Sequence, residues 1–213
     1  MSVETNLNYI LSSIPRQVNL VAVSKTKQNS LILKAYDAGQ RVFGENKVQE
    51  LVKKSDELPK DISWQMIGHL QRNKVKFIAS FISLIHTVDS IKLLKEIDKR
   101  AKQNNRVIDC LLQVHIATEN TKFGFDCCEV EEIITMSKIF QNIKIIGLMG
   151  MATFTNNKKQ ITEEFKSLNN IFKKIRNKEI TTLSMGMSND YHIAIEQGSN
   201  MIRVGSAIFG NRN

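Results

Sequence analysis

Proline, cysteine and aromatic side chains are scarce in this chain of 213 residues, with 2 prolines, 3 cysteines and 7% aromatics. With Pro15 and Pro59 alone, and 10 glycines, no linker, low-complexity tract or short-period repeat divides the sequence. Cys110, Cys127 and Cys128 are odd in number and lack any CxxC or Cys/His spacing. That excludes a disulfide framework and gives no metal signature. Cys110 sits in an apolar run and reads as core, while the adjacent pair reads as incidental to a helix entry. No run approaches the roughly 20 apolar residues that a membrane-crossing helix needs. The first twenty residues also lack the apolar core of a signal peptide. A cytoplasmic, monomeric protein with no membrane partner is expected.

What is present is an apolar share of 42%, enough for one sizeable core, and residues 1–213 read as a single domain. The formal net charge is +9, which raises a polyanion as partner. The lysines, however, are scattered. Pairs such as Lys53-Lys54, Lys158-Lys159 and Lys173-Lys174 fall on helical segments that read as solvated, and no basic stripe is interleaved with aromatics. A nucleic-acid partner is therefore not expected.

Apolar segments alternate between two periods. Strand-like runs occupy residues 18–23, 41–43, 64–67, 83–88, 107–114, 143–148, 182–184 and 201–204. Between them lie helical stripes, of which Ile91, Leu94, Ile97 and Ala101, and Phe165, Leu168, Phe172 and Ile175, are the clearest. Residues 1–17 supply a leading helix. Eight strands alternating with helices predict the α/β class and a single-domain (β/α)8 TIM barrel, with a doubly wound open sheet as the alternative. Polar or glycine-containing segments follow the strands, among them Ser24-Lys25-Thr26, Gly44-Glu45-Asn46, Lys122-Phe123-Gly124 and Gly186-Met187-Ser188. In a barrel these loops share the rim on which sites are built.

Three features of that rim carry chemistry. Lys25 ends the first apolar run, and a lysine in a partly desolvated pocket near other cations can form a Schiff base with a carbonyl. Ser188, Gly205 and Ser206, at the last two strand ends, offer hydroxyls and backbone N–H groups suited to a phosphate monoester. Arg203 shares a strand face with Met201 and so points inward, where it requires a partner. That partner is either a ligand or an acid such as Glu45. Lysine, phosphate grip and inward arginine together suggest pyridoxal 5′-phosphate (PLP).

The segments Val21–Lys27 (VAVSKTK), Phe43–Asn46 (FGEN), Ile67–Gln71 (IGHLQ), Gly147–Met151 (GLMGM), Leu183–Asp190 (LSMGMSND) and Arg203–Gly210 (RVGSAIFG) resemble the YggS/PROSC family of pyridoxal phosphate homeostasis proteins. The match is collinear from Asn19 to Gly210. The resemblance implies a fold-type III barrel like the N-terminal domain of alanine racemase. It implies PLP as a Schiff base on Lys25, phosphate contacts from Ser188, Gly205 and Ser206, and Arg203 at the ring nitrogen. Asn46 and the segment Met149–Met151 would line the pocket, with Met149 as its first member.

The implied role is PLP binding and vitamin B6 homeostasis without robust turnover, and no catalytic residue is assigned. PLP-dependent apoenzymes are candidate partners. The alternative is a weak PLP-dependent amino-acid racemase. Racemases of this fold take an opposing tyrosine from a second domain, and this chain has only Tyr9, Tyr36 and Tyr191. Two departures stand out: Gln65 occupies a position where many relatives have histidine, and His115 one where asparagine is common.

Overall fold

The computed structural model describes residues 2–119 and 123–210; Lys122, noted above with a rim segment, lies outside them. Eight parallel strands close on one another in chain order. They are β1 (Asn19–Val23), β2 (Val42–Glu45), β3 (Ser63–Met66), β4 (Leu84–Val88), β5 (Ile108–Gln113), β6 (Ile143–Met149), β7 (Thr182–Ser184) and β8 (Met201–Val204). Closure runs through β1 and β8, where Asn19 faces Met201 and Val21 faces Arg203 in register. That pairing excludes the open sheet.

The helices lie between strands. A leading helix α1 (Val3–Ser13) is capped by Ser2, whose hydroxyl accepts the Thr5 N–H. Then come α2 (Asn29–Asp37), α3 (Val48–Glu57), α4 (Ile91–Gln103), α5 (Val130–Ser137), α6 (Lys158–Ile175), α7 (Tyr191–Glu196) and α8 (Ser206–Phe209). Between β3 and β4 the connection is a short 3-10 helix, Arg72–Phe77.

Strand alternation splits the apolar residues into two cores. Leu20, Ala22, Ile202 and Val204 join the large cluster that also holds the helix stripes, including Phe165, Leu168 and Phe172. Val21, Leu84, Leu111, Met149 and Met201 form a smaller separate cluster. Their strand positions alternate with those of the outer core, which places them in the barrel lumen. Burying a large apolar side chain is worth about 1.5–3 kcal/mol, so both faces of each strand favour closure.

β6 and β7 leave no room for a side chain at Gly147. A Cβ at Gly147 would sit 1.7 Å from the Thr182 carbonyl oxygen, so no larger residue fits. On the rim, a Cβ at Gly68 would meet the Asn46 carbonyl at 2.3 Å. Glycine there lets the β3 end pass directly over Asn46.

Candidate functional site

The C-terminal ends of the strands enclose a cavity of about 940 Å³. Lys25, Asn46, Ser188, Arg203, Gly205 and Ser206 all line it, although they come from four different strand ends. Met149 does not; it is fully buried in the lumen cluster, and Met151, two residues on, lines the cavity instead. The loop after β6 adds Ala152, Thr153 and Phe154, which the sequence reading did not single out.

Arg203 forms the floor. It is 3% exposed. Its Nη1 donates to Ser184 Oγ at 2.6 Å and its Nη2 to the Gly150 carbonyl at 3.1 Å. Ser184 Oγ is also 3.2 Å from His86 Nδ1, and His86 Nε2 is 2.7 Å from Gln65 Oε1. The proton directions follow from the arginine, which can only donate, and from Gln65 Oε1, which can only accept and so takes the Nε2–H of a neutral His86. Ser184 accepts from Arg203 and gives its own proton to His86 Nδ1. His86 is therefore the neutral Nε2–H tautomer, and donates to Gln65. Burial, with the Arg203 charge as the second cause, pushes the His86 pKa well below its ordinary 6.5. Burial also lowers Arg203 to about 10, and Asp190 works against that shift. Arg203 remains a cation at neutral pH, held by neutral oxygen atoms.

Glu45 is not the structural partner that the sequence left open for Arg203. Its Oε1 accepts from Lys54 Nζ at 2.7 Å and from Ser24 Oγ at 2.6 Å. Burial raises the Glu45 carboxyl above its usual range, against the lowering effect of Lys54. Lys54 in turn is not on a solvated face: it is 6% exposed, whereas the side chain of its neighbour Lys53 is 75% exposed. A buried acid on a strand end selects the inward lysine of the pair, a relationship that helical spacing alone does not carry.

The last two strand ends are joined directly. Gly205 N–H donates to Ser188 Oγ at 3.2 Å. The loop bearing Ser188 is held by Asp190, whose Oδ1 accepts the Met187 N–H at 2.6 Å. Gly205 caps α8, and its carbonyl accepts the N–H groups of Ile208 and Phe209 at 2.9 Å. The N–H groups of Ser206 and Ala207, in the first turn, are not used by the helix itself. Asn46 Oδ1 is buried and has no hydrogen-bond partner among the described residues. A lysine, a cationic floor, a hydroxyl and backbone N–H groups thus surround one pocket, an arrangement suited to an anionic ligand bearing a carbonyl.

A second cavity of about 610 Å³ lies beside the ends of β3 and β4 and contains none of the predicted residues. Its His69 Nδ1 is 3.0 Å from Asp89 Oδ2, and the His69 ring stacks on Phe123 with centroids 4.1 Å apart.

Fold and site together define a barrel of the alanine racemase N-terminal-domain class, and the family model of that description matches residues 2–213. The chain is 36% identical to the pyridoxal phosphate homeostasis protein of Haemophilus influenzae over 100% of its own length and 97% of the relative's. PipY of Synechococcus elongatus, solved without PLP, superposes with a TM-score of 0.93 at 33% identity, covering 98% of this chain and 100% of that one. The PLP-bound form of PipY gives 0.88 at 32% identity, with 98% and 100% coverage. Alanine racemase from Bartonella henselae shares the fold, with a TM-score of 0.77 at 15% identity; this chain covers 58% of it, and the match takes in 98% of this chain. The chain belongs to the pyridoxal phosphate homeostasis protein family.

Proposed function

We propose that this protein binds pyridoxal 5′-phosphate and holds it as a Schiff base on Lys25, serving PLP homeostasis in the cytoplasm without robust turnover. The observation that carries the reading is the convergence of Lys25 with Arg203 and the coupled pair Ser188 and Gly205 on one cavity. The residues fit the cofactor. Asn46 offers a buried acceptor without a partner among the described residues. About 940 Å³ is ample for one cofactor. PLP supplies an aldehyde that condenses with an amine, losing one water as the C=N bond forms.

The chain's own residues do the rest. Ser188 Oγ and the hydroxyl and N–H of Ser206 would receive the phosphate, and Gly205, whose N–H is given to Ser188 Oγ, would let it approach the backbone closely. Arg203, a cation on the cavity floor, would face the ring nitrogen and disfavour its protonation, which would make the ring a weak electron sink. That favours holding over turnover. The tyrosines support the same reading, because none of the three lines the cavity. Tyr9 is 69% exposed on α1, Tyr36 donates to Asp61 at 2.8 Å, and Tyr191 is buried in the outer core. The described helices include none long and apolar enough to cross a membrane. The cavity is open at the rim, which suits loading and release, with PLP-dependent apoenzymes as recipients.

The test is an absorbance spectrum of the purified protein before and after borohydride, followed by peptide mapping. A visible band lost on reduction, with a pyridoxyl group on Lys25, is expected, as is its loss in Lys25→Ala. An unchanged band in that variant would overturn the anchor and move attention to Lys27. Racemisation of an added amino acid faster than with free PLP would favour the enzyme instead.

A further inference from the structure

Lys25 is held through the peptide groups on both of its sides. Ser24, Lys25, Thr26 and Lys27 form a tight turn closed by the Lys27 N–H, which donates to the Ser24 carbonyl at 3.0 Å. Thr26 has φ 64°, and among the described residues Asn105 is the only other non-glycine with positive φ. A turn whose third residue alone has positive φ has the pattern of type II, where that position favours glycine or asparagine. A β-branched residue there is strained, and persists only where its surroundings hold it.

The surroundings are supplied by α3. Glu50 Oε2 accepts the Thr26 N–H at 2.9 Å. One helical turn further on, Lys54 Nζ donates to the Ser24 carbonyl at 2.9 Å. Lys54 is fixed in turn by Glu45 at 2.7 Å and lies 3.6 Å from Glu50 Oε2. Glu45 also accepts the Ser24 hydroxyl at 2.6 Å. The carbonyl before Lys25 and the N–H after it are thus both held by side chains of one helix. That helix is itself locked to the end of β2.

We propose that Glu50, backed by the buried pair Lys54 and Glu45, is a positioning residue that holds the 24–27 turn in its strained shape and so aims Lys25 into the cavity. The inference rests on the reading of Lys25 as the PLP anchor. Glu50 touches no reacting atom; it acts through the Thr26 backbone. Its role needs an acceptor oxygen and not a charge, which separates it from a general electrostatic effect.

The experiment adds PLP to the cofactor-free full-length protein. It follows the growth of the visible band and, by mass mapping, the amount of pyridoxyl-Lys25 trapped with borohydride at timed points. Glu50→Ala is expected to slow trapping on the order of tenfold, the scale of loss when a reacting group is displaced. Glu50→Gln keeps an oxygen able to accept the Thr26 N–H and is expected to trap at close to the wild-type rate. Adding Thr26→Gly to Glu50→Ala is expected to restore the rate, because glycine adopts positive φ without strain.

A wild-type rate in Glu50→Ala, or a folded double variant that stays slow, overturns the proposal. Failure of both variants to fold assigns Glu50 to stability and also overturns it. Failure of the underlying reading looks different: the wild-type protein itself would then carry its adduct on another lysine, or none.

Discussion

Arg203 Nη1 donates to Ser184 Oγ at 2.6 Å, and through that hydroxyl a cavity-lining cation is tied to a histidine on the opposite part of the barrel. Ser184 cannot be replaced by alanine without leaving both a buried guanidinium N–H and His86 Nδ1 short of a partner. Ser184→Ala is expected to destabilise the fold by about 1–3 kcal/mol, the cost of an unsatisfied buried group. It should also shift the visible absorbance of bound PLP, since Arg203 keeps only the Gly150 carbonyl. Ser184→Thr retains the hydroxyl and is expected to retain the spectrum. Denaturant unfolding together with the spectrum checks both; an unaltered band in the alanine variant removes the link to the cofactor.

The same chain of bonds predicts a response to acid. The folded-state pKa of His86 lies well below its ordinary 6.5. As pH falls through 6.5, the unfolded chain takes up a proton that the folded chain refuses, so stability declines. Glu45 has the opposite sign, because its raised carboxyl protonates in the folded state before it does in the unfolded one. His86→Gln removes one titrating group and can still hydrogen bond. Thermal midpoints of the variant are expected to fall less steeply below pH 6.5 than those of the wild type. Parallel slopes would mean that His86 takes up its proton without cost.

Much of this was readable in the sequence. Switches between period-two and helical spacing located all eight strands, and polar residues after the strands marked the rim. Arg203 was readable as inward because alternation with Met201 leaves no other face for it. The parts that were not readable depend on closure. Ser184 and His86 are 98 residues apart, and each looks like an ordinary polar strand position until β4 and β7 face one lumen. Lys54 reads as one of a pair of surface lysines, and only Glu45, on a neighbouring element, makes it internal. Met149 and Met151 fall on the same side of the alternating pattern, but Met149 is still within β6 and packs in the lumen, while Met151 lies past the strand end and reaches the cavity.

Gly147 sets a limit on the barrel itself. A methyl group there would stand 1.7 Å from the Thr182 carbonyl oxygen, and that atom is backbone, so no side-chain rotation relieves the clash. Gly147→Ala must push β6 and β7 apart, and β7 has only three residues with which to pair. A loss of at least about 1–3 kcal/mol is expected, the usual cost of overpacking. The denaturant midpoint measures it, and a midpoint equal to wild type would contradict the strand spacing described here.

Ser188 and Ser206 test the phosphate grip, and they should not behave alike. Ser188 Oγ accepts the Gly205 N–H at 3.2 Å, so its hydroxyl bridges the two loops besides facing the cavity. Removing it frees a backbone donor that can turn to the ligand, which offsets part of the loss. Ser206 is exposed at the start of α8, and its hydroxyl has no such second task. Ser206→Ala is expected to weaken PLP retention on the order of 1 kcal/mol, about a fivefold rise in Kd, and Ser188→Ala by less. The double variant should lose about the sum of the two, because the bridge is already gone in Ser188→Ala and the Ser206 hydroxyl makes a separate contact. Dissociation constants for wild type, both single variants and the double variant decide this. A double-variant loss well beyond the sum would mean that the two serines act as one unit, and unchanged constants would take the phosphate away from these loops.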